Sequence, residues 1–220
     1  MPTPDRTSLA DIVAAARQIL ESEGLPGLTM QAVAQRVGVR APSLYKRVRN
    51  RDDLIRLVTE AAVHDLGEQL SAVAGSGDPG RDLAELAHAF RAFAHAQPAG
   101  YHLIFATGPA DTRPSLDILT RASAPALRLA AELAGPEHAL SAARLFTAWA
   151  NGFISMELAG AFNLGGDLDE AFAFGIDRLT AALTTLDRPR AKGGPAGSPG
   201  PPETAHLRAP DSLGDVRPVD

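Results

Sequence analysis

The sequence predicts an all-α protein in which an N-terminal domain of three helices is joined by a long helix to a larger helical domain. Apolar residues recur at intervals of three and four along most of the chain, which is the pattern of amphipathic helices. No segment sustains the alternation of apolar and polar residues that is typical of strands. Helical segments are interrupted or opened by Pro98, Pro109, Pro114 and Pro136.

The first two helices have recognisable ends. Ser8 and Asp11 have the spacing of a capping pair, and they stand just before an apolar stripe that runs to Leu20. Gly24 is placed to end this first helix. Thr29 can cap a short second helix through its side-chain oxygen.

A third and a fourth helix follow. Gly38 permits a tight turn after the second helix, and Pro42 suits the first turn of the third. Asn50 can cap the fourth helix, whose first turn carries two acidic residues, as the helix dipole favours. The apolar pattern extends this fourth helix over 51–74. We therefore predict a first domain at 1–57, with its core at 8–57, and a linking helix at 51–74.

In the remainder of the chain, the apolar pattern predicts five helices followed by a tail. The helical stretches lie near 81–96, 100–107, 114–133, 137–162 and 168–186. They form a second predicted domain at 81–187. From residue 188 to 220, 12 of 33 residues are Gly or Pro and no apolar periodicity remains, so we expect a disordered tail.

One glycine-rich segment imitates a nucleotide site. Residues 75–80 have the spacing G-x-G-x-x-G. A dinucleotide fingerprint follows a strand and opens a helix, whereas this segment follows a predicted helix. We interpret it as a loop between the two domains.

Basic residues are concentrated near the N-terminus of a chain whose net charge is −5. Over 36–56, seven basic side chains stand against two acidic ones. Such an asymmetry is expected when only one end of a protein meets phosphate, although a solvated helix face would also explain it.

Composition argues against several other classes. The chain has no cysteine, which excludes disulfide frameworks and cysteine-based chemistry. Its first eight residues lack the features of a secretory signal, and no run approaches the roughly 18 apolar residues of a membrane span. We expect a cytoplasmic protein. Since no nucleophile elbow, metal signature or suitably spaced carboxylate pair is found, we expect no enzyme activity, no cofactor and no metal.

The second and third helices fit a helix-turn-helix. At 100° per residue Ala41, Leu44 and Val48 share one side of the third helix and can pack inward. Pro42 and Ser43 then face outward, and such small side chains allow close approach to a major groove. The residues alone also allow an ordinary helical hairpin with an aromatic side chain packed inside.

Cationic and polar residues surround this outward side. Arg40 and Lys46 could donate hydrogen bonds to guanine O6 and N7. Tyr45, Arg47, Arg49 and Arg51 are placed to reach phosphates, which set register and affinity without reading sequence. Thr29 and the amides of its helix N-terminus could bind one more phosphate.

The stretch from Leu28 to Leu54 resembles the DNA-binding domain of the tetracycline-repressor (TetR) family. The matching residues are Leu28-Thr29-Met30, Val33-Ala34, Val37-Gly38-Val39, Ser43-Leu44-Tyr45, Val48 and Asn50-Arg51-Asp52-Asp53-Leu54. The resemblance covers about residues 8–57 and implies that the helix from Arg40 to Val48 is the recognition helix.

The resemblance also implies roles for single residues. Thr29, Tyr45, Arg47 and Arg51 occupy positions that usually meet phosphate. Pro42 and Ser43 occupy positions that usually approach bases, and the positions of Arg40 and Lys46 vary within the family.

The segment Phe146–Phe153, with the Glu157-Leu158 that follows, resembles a TetR subgroup that has a Trp and a His-Gly pair at this place. Trp149 supplies the Trp, whereas Asn151 stands where the His would be. Members usually dimerise through their last two long helices, here about 137–162 and 168–186. Small residues that would allow close helix approach are Ala139, Ala142, Ala143, Ala150, Gly152, Gly160 and Ala161.

Aromatic residues of the second domain predict an apolar effector pocket, although each of them would equally suit a core. The candidates for its lining are Phe93, Tyr101, Phe105, Trp149, Asn151 and Phe153. Asn151 and Glu157 are the polar groups expected first to orient a ligand. His88 and His95 share a helix face, but without a supporting carboxylate we expect no metal there.

These patterns predict a homodimeric, sequence-specific transcriptional regulator. The resemblance implies a repressor of a palindromic double-stranded operator, released when a small-molecule effector displaces the fourth helix and changes the separation of two DNA-reading heads. One alternative is an enzyme or carrier with a helical pocket. Another is a helical interaction module whose basic patch meets an acidic protein, and only DNA binding should show a palindromic preference.

Overall fold

A computed structural model describes residues 7–73 and 75–185 of the chain, with the backbone alone for Thr185. The described helices are α1 Leu9–Gly27, α2 Met30–Arg36, α3 Ala41–Leu44, α4 Arg51–Ser71, α5 Pro79–Ala96, α6 Pro98–Phe105, α7 Leu116–Ala134, α8 Ala139–Leu158 and α9 Leu168–Thr185. A 3-10 turn at Ala110–Thr112 precedes α7. No strand occurs within these residues, which confirms the predicted all-α class. The predicted tail at 188–220 lies outside the described residues.

Side-chain caps fix the beginnings of the N-terminal helices, as predicted. The Ser8 hydroxyl accepts from the Asp11 amide at 3.1 Å, and the Asp11 carboxylate accepts from the Ser8 amide at 2.8 Å. Thr29 Oγ1 accepts from the Ala32 amide at 3.1 Å and so caps α2. Each cap satisfies an amide that has no partner within its own helix, and this sets where the helix begins.

Two helices are shorter than the apolar pattern predicts. α3 ends at Leu44 instead of running to Val48, and the Arg47 amide donates to the Leu44 carbonyl three residues back, which tightens the chain into a turn. α8 ends at Leu158 instead of 162, because Gly160 adopts a φ of +63° and the chain leaves the helix there. Helix α1, in contrast, kinks at Gly24 and continues to Gly27.

Helix α4 belongs to two separate apolar cores. Leu54 and Val58, in its first half, pack with α1, α2 and α3 in an N-terminal core. Leu66 and Leu70, in its second half, pack with α5 to α9 in a larger core. A displacement of α4 is therefore felt in both cores, because protein interiors are close-packed.

Within the parts of the chain that the structure describes, no helix combines the length and apolar character that crossing a membrane requires.

Candidate functional site

A tight turn between α2 and α3 sets the direction of α3. Gly38 has a φ of +73°, its amide donates to the Gln35 carbonyl at 3.2 Å, and the Val39 amide donates to the Ala34 carbonyl at 2.9 Å. This pair of bonds is the Schellman arrangement, which favours glycine at the left-handed position. The turn lets α3 begin at once with its apolar side against α2.

The exposed side of α3 and of the turn after it forms a surface that we call the α3 surface. It consists of Arg40, Pro42, Ser43, Tyr45, Lys46 and Arg47, all of them exposed. Leu44 and Val48 are buried beneath it in the N-terminal core, and Tyr45 keeps 55% of its side chain exposed. The helical hairpin with an aromatic side chain packed inside is therefore excluded. Thr29, also exposed, lies at the beginning of α2.

Arg51, which was predicted to meet a phosphate, also makes contacts within the protein. Its Nε donates to the Leu28 carbonyl at 2.8 Å, and a terminal nitrogen donates to the Leu25 carbonyl at 2.6 Å. These carbonyls lie after the kink of α1, and the Leu25 carbonyl also accepts from the Leu28 amide at 3.3 Å. Arg51 therefore fastens the end of α1 to the beginning of α4.

Replacing Arg51 with Ala should lower the free energy of unfolding by about 1.5 kcal/mol or more, since two carbonyls lose a charged donor. Thermal and urea unfolding would measure this loss. The control is Arg40→Ala, which removes the same charge from the α3 surface. If Arg51→Ala leaves stability unchanged but reduces the salt dependence of DNA binding, the phosphate role is restored.

A chain of charged side chains runs along the first turns of α4. The Asp53 carboxylate accepts from the Arg49 amide at 3.0 Å, from the Arg49 side chain at 3.1 Å and from Arg56 at 2.8 Å. Arg56 also donates to Glu60 at 2.8 Å, and Glu60 accepts from the Ser115 amide at 3.1 Å. The chain of contacts thus reaches from the turn after α3 to the beginning of α7.

Hydrogen bonds from Arg49 and Arg56 hold the pKa of Asp53 well below its usual range. A lowered native pKa stabilises the fold at every pH above the unfolded value of about 4, and this stabilisation is lost only as the pH falls below it. From the sequence, Asp53 was assigned to the helix dipole alone. The sequence does not indicate that Arg49, which precedes the cap, bonds to a residue inside the helix.

A second contact joins the N-terminal core to the larger one. The Glu21 carboxylate, on α1, accepts from the Ala99 amide at 3.0 Å and from the Gly100 amide at 2.8 Å. Both amides belong to the first turn of α6, so Glu21 caps a helix 78 residues further along the chain. Arg17 bonds Asp65 and Gln97 beside it. We call this contact the Glu21 clasp.

The larger core contains an open cavity of about 700 Å³. Its walls come from α4 to α8 and are mostly apolar, and its lining includes Val63, Leu66, Leu70, Leu86, Phe90, Ile104, Phe105, Leu119, Ala126, Leu127 and Phe146. Thr120, Ser123, Arg144, Thr147 and Asn151 supply its polar groups. Cavities of this size hold drug-sized ligands.

The structure brings only two of the six predicted pocket residues, Phe105 and Asn151, to the cavity lining. Tyr101 lies directly behind Asn151, and its hydroxyl donates to Asn151 Oδ1 at 2.7 Å. Burial raises the pKa of the Tyr101 phenol, which therefore keeps its proton at neutral pH. Phe93 is fully buried in the core, away from the lining.

Trp149 and Phe153 face the opposite side of α8 from the cavity. Trp149 stacks on Phe172 of α9 with ring centroids 5.2 Å apart, and Phe153 lies 5.1 Å from the same ring. These aromatic residues fasten α9 to α8, which is the core role that the sequence left open for them. Periodicity predicts which residues turn inward, but it does not tell a core from a cavity wall.

Glu157, which was expected to orient a ligand, is bonded to other side chains of the protein. It forms a bidentate pair with Arg91 and lies 3.1 Å from His95. Arg91 also donates to Asp169 and lies 5.0 Å from the centroid of Phe172. The Arg91 hydrogen bonds lower the pKa of Glu157, so the carboxylate stays ionised and links α8 to α5, while Arg91 links α5 to α9 through Asp169.

Among the residues that the structure describes, no group of three or more His, Asp or Glu side chains could hold a metal ion. His88 packs edge-on against Phe172, and His102 contacts the Pro98 carbonyl.

The outer sides of α8 and α9 expose apolar side chains that we call the α8–α9 face. It consists of Leu145, Gly152, Met156, Ala171 and Phe174. Phe174 is 66% exposed and Leu145 50%. Of the small residues predicted to permit close helix approach, Ala142, Ala143 and Ala150 instead pack inside the protomer.

Comparisons with known proteins match both halves of the chain. Residues 12–58 match the family "Bacterial regulatory proteins, tetR family", and residues 83–179 match "Tetracyclin repressor-like, C-terminal domain". An uncharacterized HTH-type transcriptional regulator of Mycobacterium tuberculosis, Rv0681, is 31% identical over 183 residues, which cover 82% of this chain and 83% of that protein. The class E tetracycline repressor of Escherichia coli is 43% identical over 56 residues, 26% of each chain.

Solved structures share the fold over most of the chain. A variant of TetR from Acinetobacter baumannii AYE, crystallised in complex with minocycline, has a TM-score of 0.64 and 26% identity and covers 82% of this chain and 98% of its own. The Streptomyces coelicolor regulator SCO7222 has a TM-score of 0.67 at 21% identity and covers 83% of this chain.

Proposed function

The chain belongs to the tetR family of bacterial regulatory proteins, and from that premise we propose a mechanism in which a ligand in the α4–α8 cavity releases the α3 surface from DNA. The protein is a DNA-binding transcriptional regulator and not an enzyme. It acts as a homodimer, as is typical of the family. The observation that carries the mechanism is the α3 surface, where cationic and small side chains stand exposed over a buried apolar layer.

We assign base contacts to Pro42, Ser43 and Lys46, with Arg40 beside them. Two of these side chains are small and allow close approach, while Lys46 can donate to guanine in the major groove. Tyr45, Arg47 and Thr29 are assigned to phosphates, which position the protein without reading sequence. Arg51 is left out because its guanidinium already binds two carbonyls.

The same proposal assigns a function to each of the two predicted domains. We assign DNA binding to 1–57, with its core at 8–57 and its link in α4, and effector sensing and dimerisation to 81–187. We assign the second domain to the subgroup that has Trp and His-Gly at these positions, because Trp149 and Gly152 match it while Asn151 stands in place of His. The cytoplasm, where bacterial DNA lies, is the proposed location.

Effector control depends on α4. Val63, Leu66 and Leu70 of this helix line the cavity, and the first half of the same helix carries the N-terminal core. A ligand that fits better when α4 is displaced would tilt the two heads away from half-sites about 34–36 Å apart. A coupling of roughly 1–3 kcal/mol between effector and operator is typical of such systems.

We expect Ser43→Ala and Lys46→Ala to change the base preferred at single operator positions, with losses of about 1–3 kcal/mol at the preferred sequence. Tyr45→Phe should instead weaken binding to all sequences alike, because it removes a phosphate donor. Selection of bound genomic fragments, followed by titration at two salt concentrations, measures both effects.

Arg81→Ala is the matched control, since it removes one exposed positive charge on α5, outside the α3 surface. Recovery of an inverted repeat by the unaltered protein supports the regulator. Binding that depends on salt but not on sequence would favour the interaction module that meets an acidic protein.

A further inference from the structure

The cavity lining carries positive charge and no negative charge. None of the side chains that line it is acidic, and Arg144 is the one charged residue among them. Its neutral polar members are two threonines, a serine and Asn151. An apolar cavity with a single positive charge and no carboxylate is complementary to a molecule that is mostly apolar and carries one negative charge.

Asn151 presents a hydrogen-bond donor to the cavity. Its side-chain oxygen already accepts from the Tyr101 hydroxyl at 2.7 Å, and the buried phenol keeps its proton. The amide nitrogen is therefore the group that remains, and no described residue accepts from it. This nitrogen can donate but not accept, so it favours a ligand with an acceptor oxygen at that point.

Arg144 stands on the same side of α8, seven residues before Asn151. Two helical turns separate the two residues by about 10 Å along the helix axis. Arg144 is exposed at the cavity, and within the described part of the chain no carboxylate pairs with it. An unpaired guanidinium offers two parallel donors, a geometry that matches a carboxylate.

We propose that the effector cavity takes an apolar carboxylic acid, whose carboxylate pairs with Arg144 while its body lies against the apolar walls of α4 to α7. A second oxygen on the ligand, where one is present, accepts from the Asn151 amide. This inference rests on the proposed effector-binding function and adds to it the chemical class of the effector.

The test compares ligands that share a body and differ in the head group. Aliphatic and aromatic acids of about eight to fourteen carbons are titrated calorimetrically into the full-length dimer, together with the alcohol and the amine of each body. The acids should bind at least about tenfold more tightly than the alcohols, and the amines most weakly, because only the acids form a charge-assisted pair with Arg144.

Arg144→Gln should remove the preference for acids and leave the affinity for alcohols unchanged. Arg128→Gln is the matched control, because it makes the same change on α7 outside the cavity lining. Equal affinity for acids and alcohols, no binding by any acid, or an acid affinity that is insensitive to Arg144→Gln would overturn the proposal.

Operator binding by the ligand-free protein is measured in parallel. If the operator is bound and acids are not preferred, only the ligand class is wrong. If no operator is bound, the regulator proposal itself fails.

Discussion

Replacing Phe174 with Asp is expected to split the homodimer into monomers that no longer hold two operator half-sites. Phe174 is 66% exposed on the α8–α9 face, where we place the dimer interface. Arg178 lies 5.6 Å from the centroid of the Phe174 ring, one helical turn further along α9. In a twofold interface each substitution occurs twice, so that a carboxylate replaces an apolar ring on both protomers. Like charges at an interface cost several kcal/mol, and about 3 kcal/mol already raises the dimer dissociation constant more than a hundredfold.

Sedimentation velocity over a concentration series measures the dissociation directly, and operator titration should weaken with it. Phe174→Leu keeps an apolar side chain and should remain dimeric. Leu164→Asp adds the same charge in the exposed loop between α8 and α9, and it should also remain dimeric. A Phe174→Asp protein that stays dimeric at low concentration would move the interface to another face.

At the next residue, Gly175→Ala should destabilise the second domain by about 2 kcal/mol, although alanine is normally the better helix former. A Cβ built on Gly175 would collide with Cζ2 of Trp149. The indole cannot give way easily, since it stacks on Phe172 and touches Phe146 and Phe153. Overpacking costs typically 1–3 kcal/mol, which exceeds the gain of up to about 1 kcal/mol in helix propensity.

Trp149→Phe removes the ring atoms that would collide, so the double substitution tests the cause. The loss from Gly175→Ala, measured by urea unfolding, should shrink markedly in the Trp149→Phe background. Additive losses would mean that the collision with Trp149 is not the source of the instability. A Gly175→Ala protein more stable than the parent would show that α8 and α9 separate without cost.

Local chemistry made much of the fold predictable. Helix beginnings depend on one side chain and its nearest amides, so the Ser8 and Thr29 caps could be predicted from spacing alone. Helix ends were harder, because the apolar stripe of α8 continues past Gly160, whereas the backbone leaves the helix there. The length of α3 was overestimated because a turn that follows a helix directly keeps nearly the same side-chain directions.

The two functional surfaces differed in how far the sequence could describe them. The α3 surface is built from consecutive residues, so periodicity correctly predicted that Leu44 is buried and Ser43 exposed. The cavity is built from five helices, and its walls depend on packing that periodicity does not specify. Trp149 was therefore assigned to the effector pocket, whereas in the structure it stacks on Phe172 and joins α8 to α9. The seven-residue spacing of Arg144 and Asn151 can be read from the sequence, but the cavity that both residues line cannot.

The Glu21 clasp bears on the use of this protein as a part for engineered sensors. A head exchanged between regulators at the start of α4 carries its own residue 21 but meets a foreign α6. Such a hybrid would recognise the operator of its head but lose the joint that holds α1 against α6. Transplanting the first turn of α6 together with the head would keep that joint, because both amides that Glu21 binds belong to this turn.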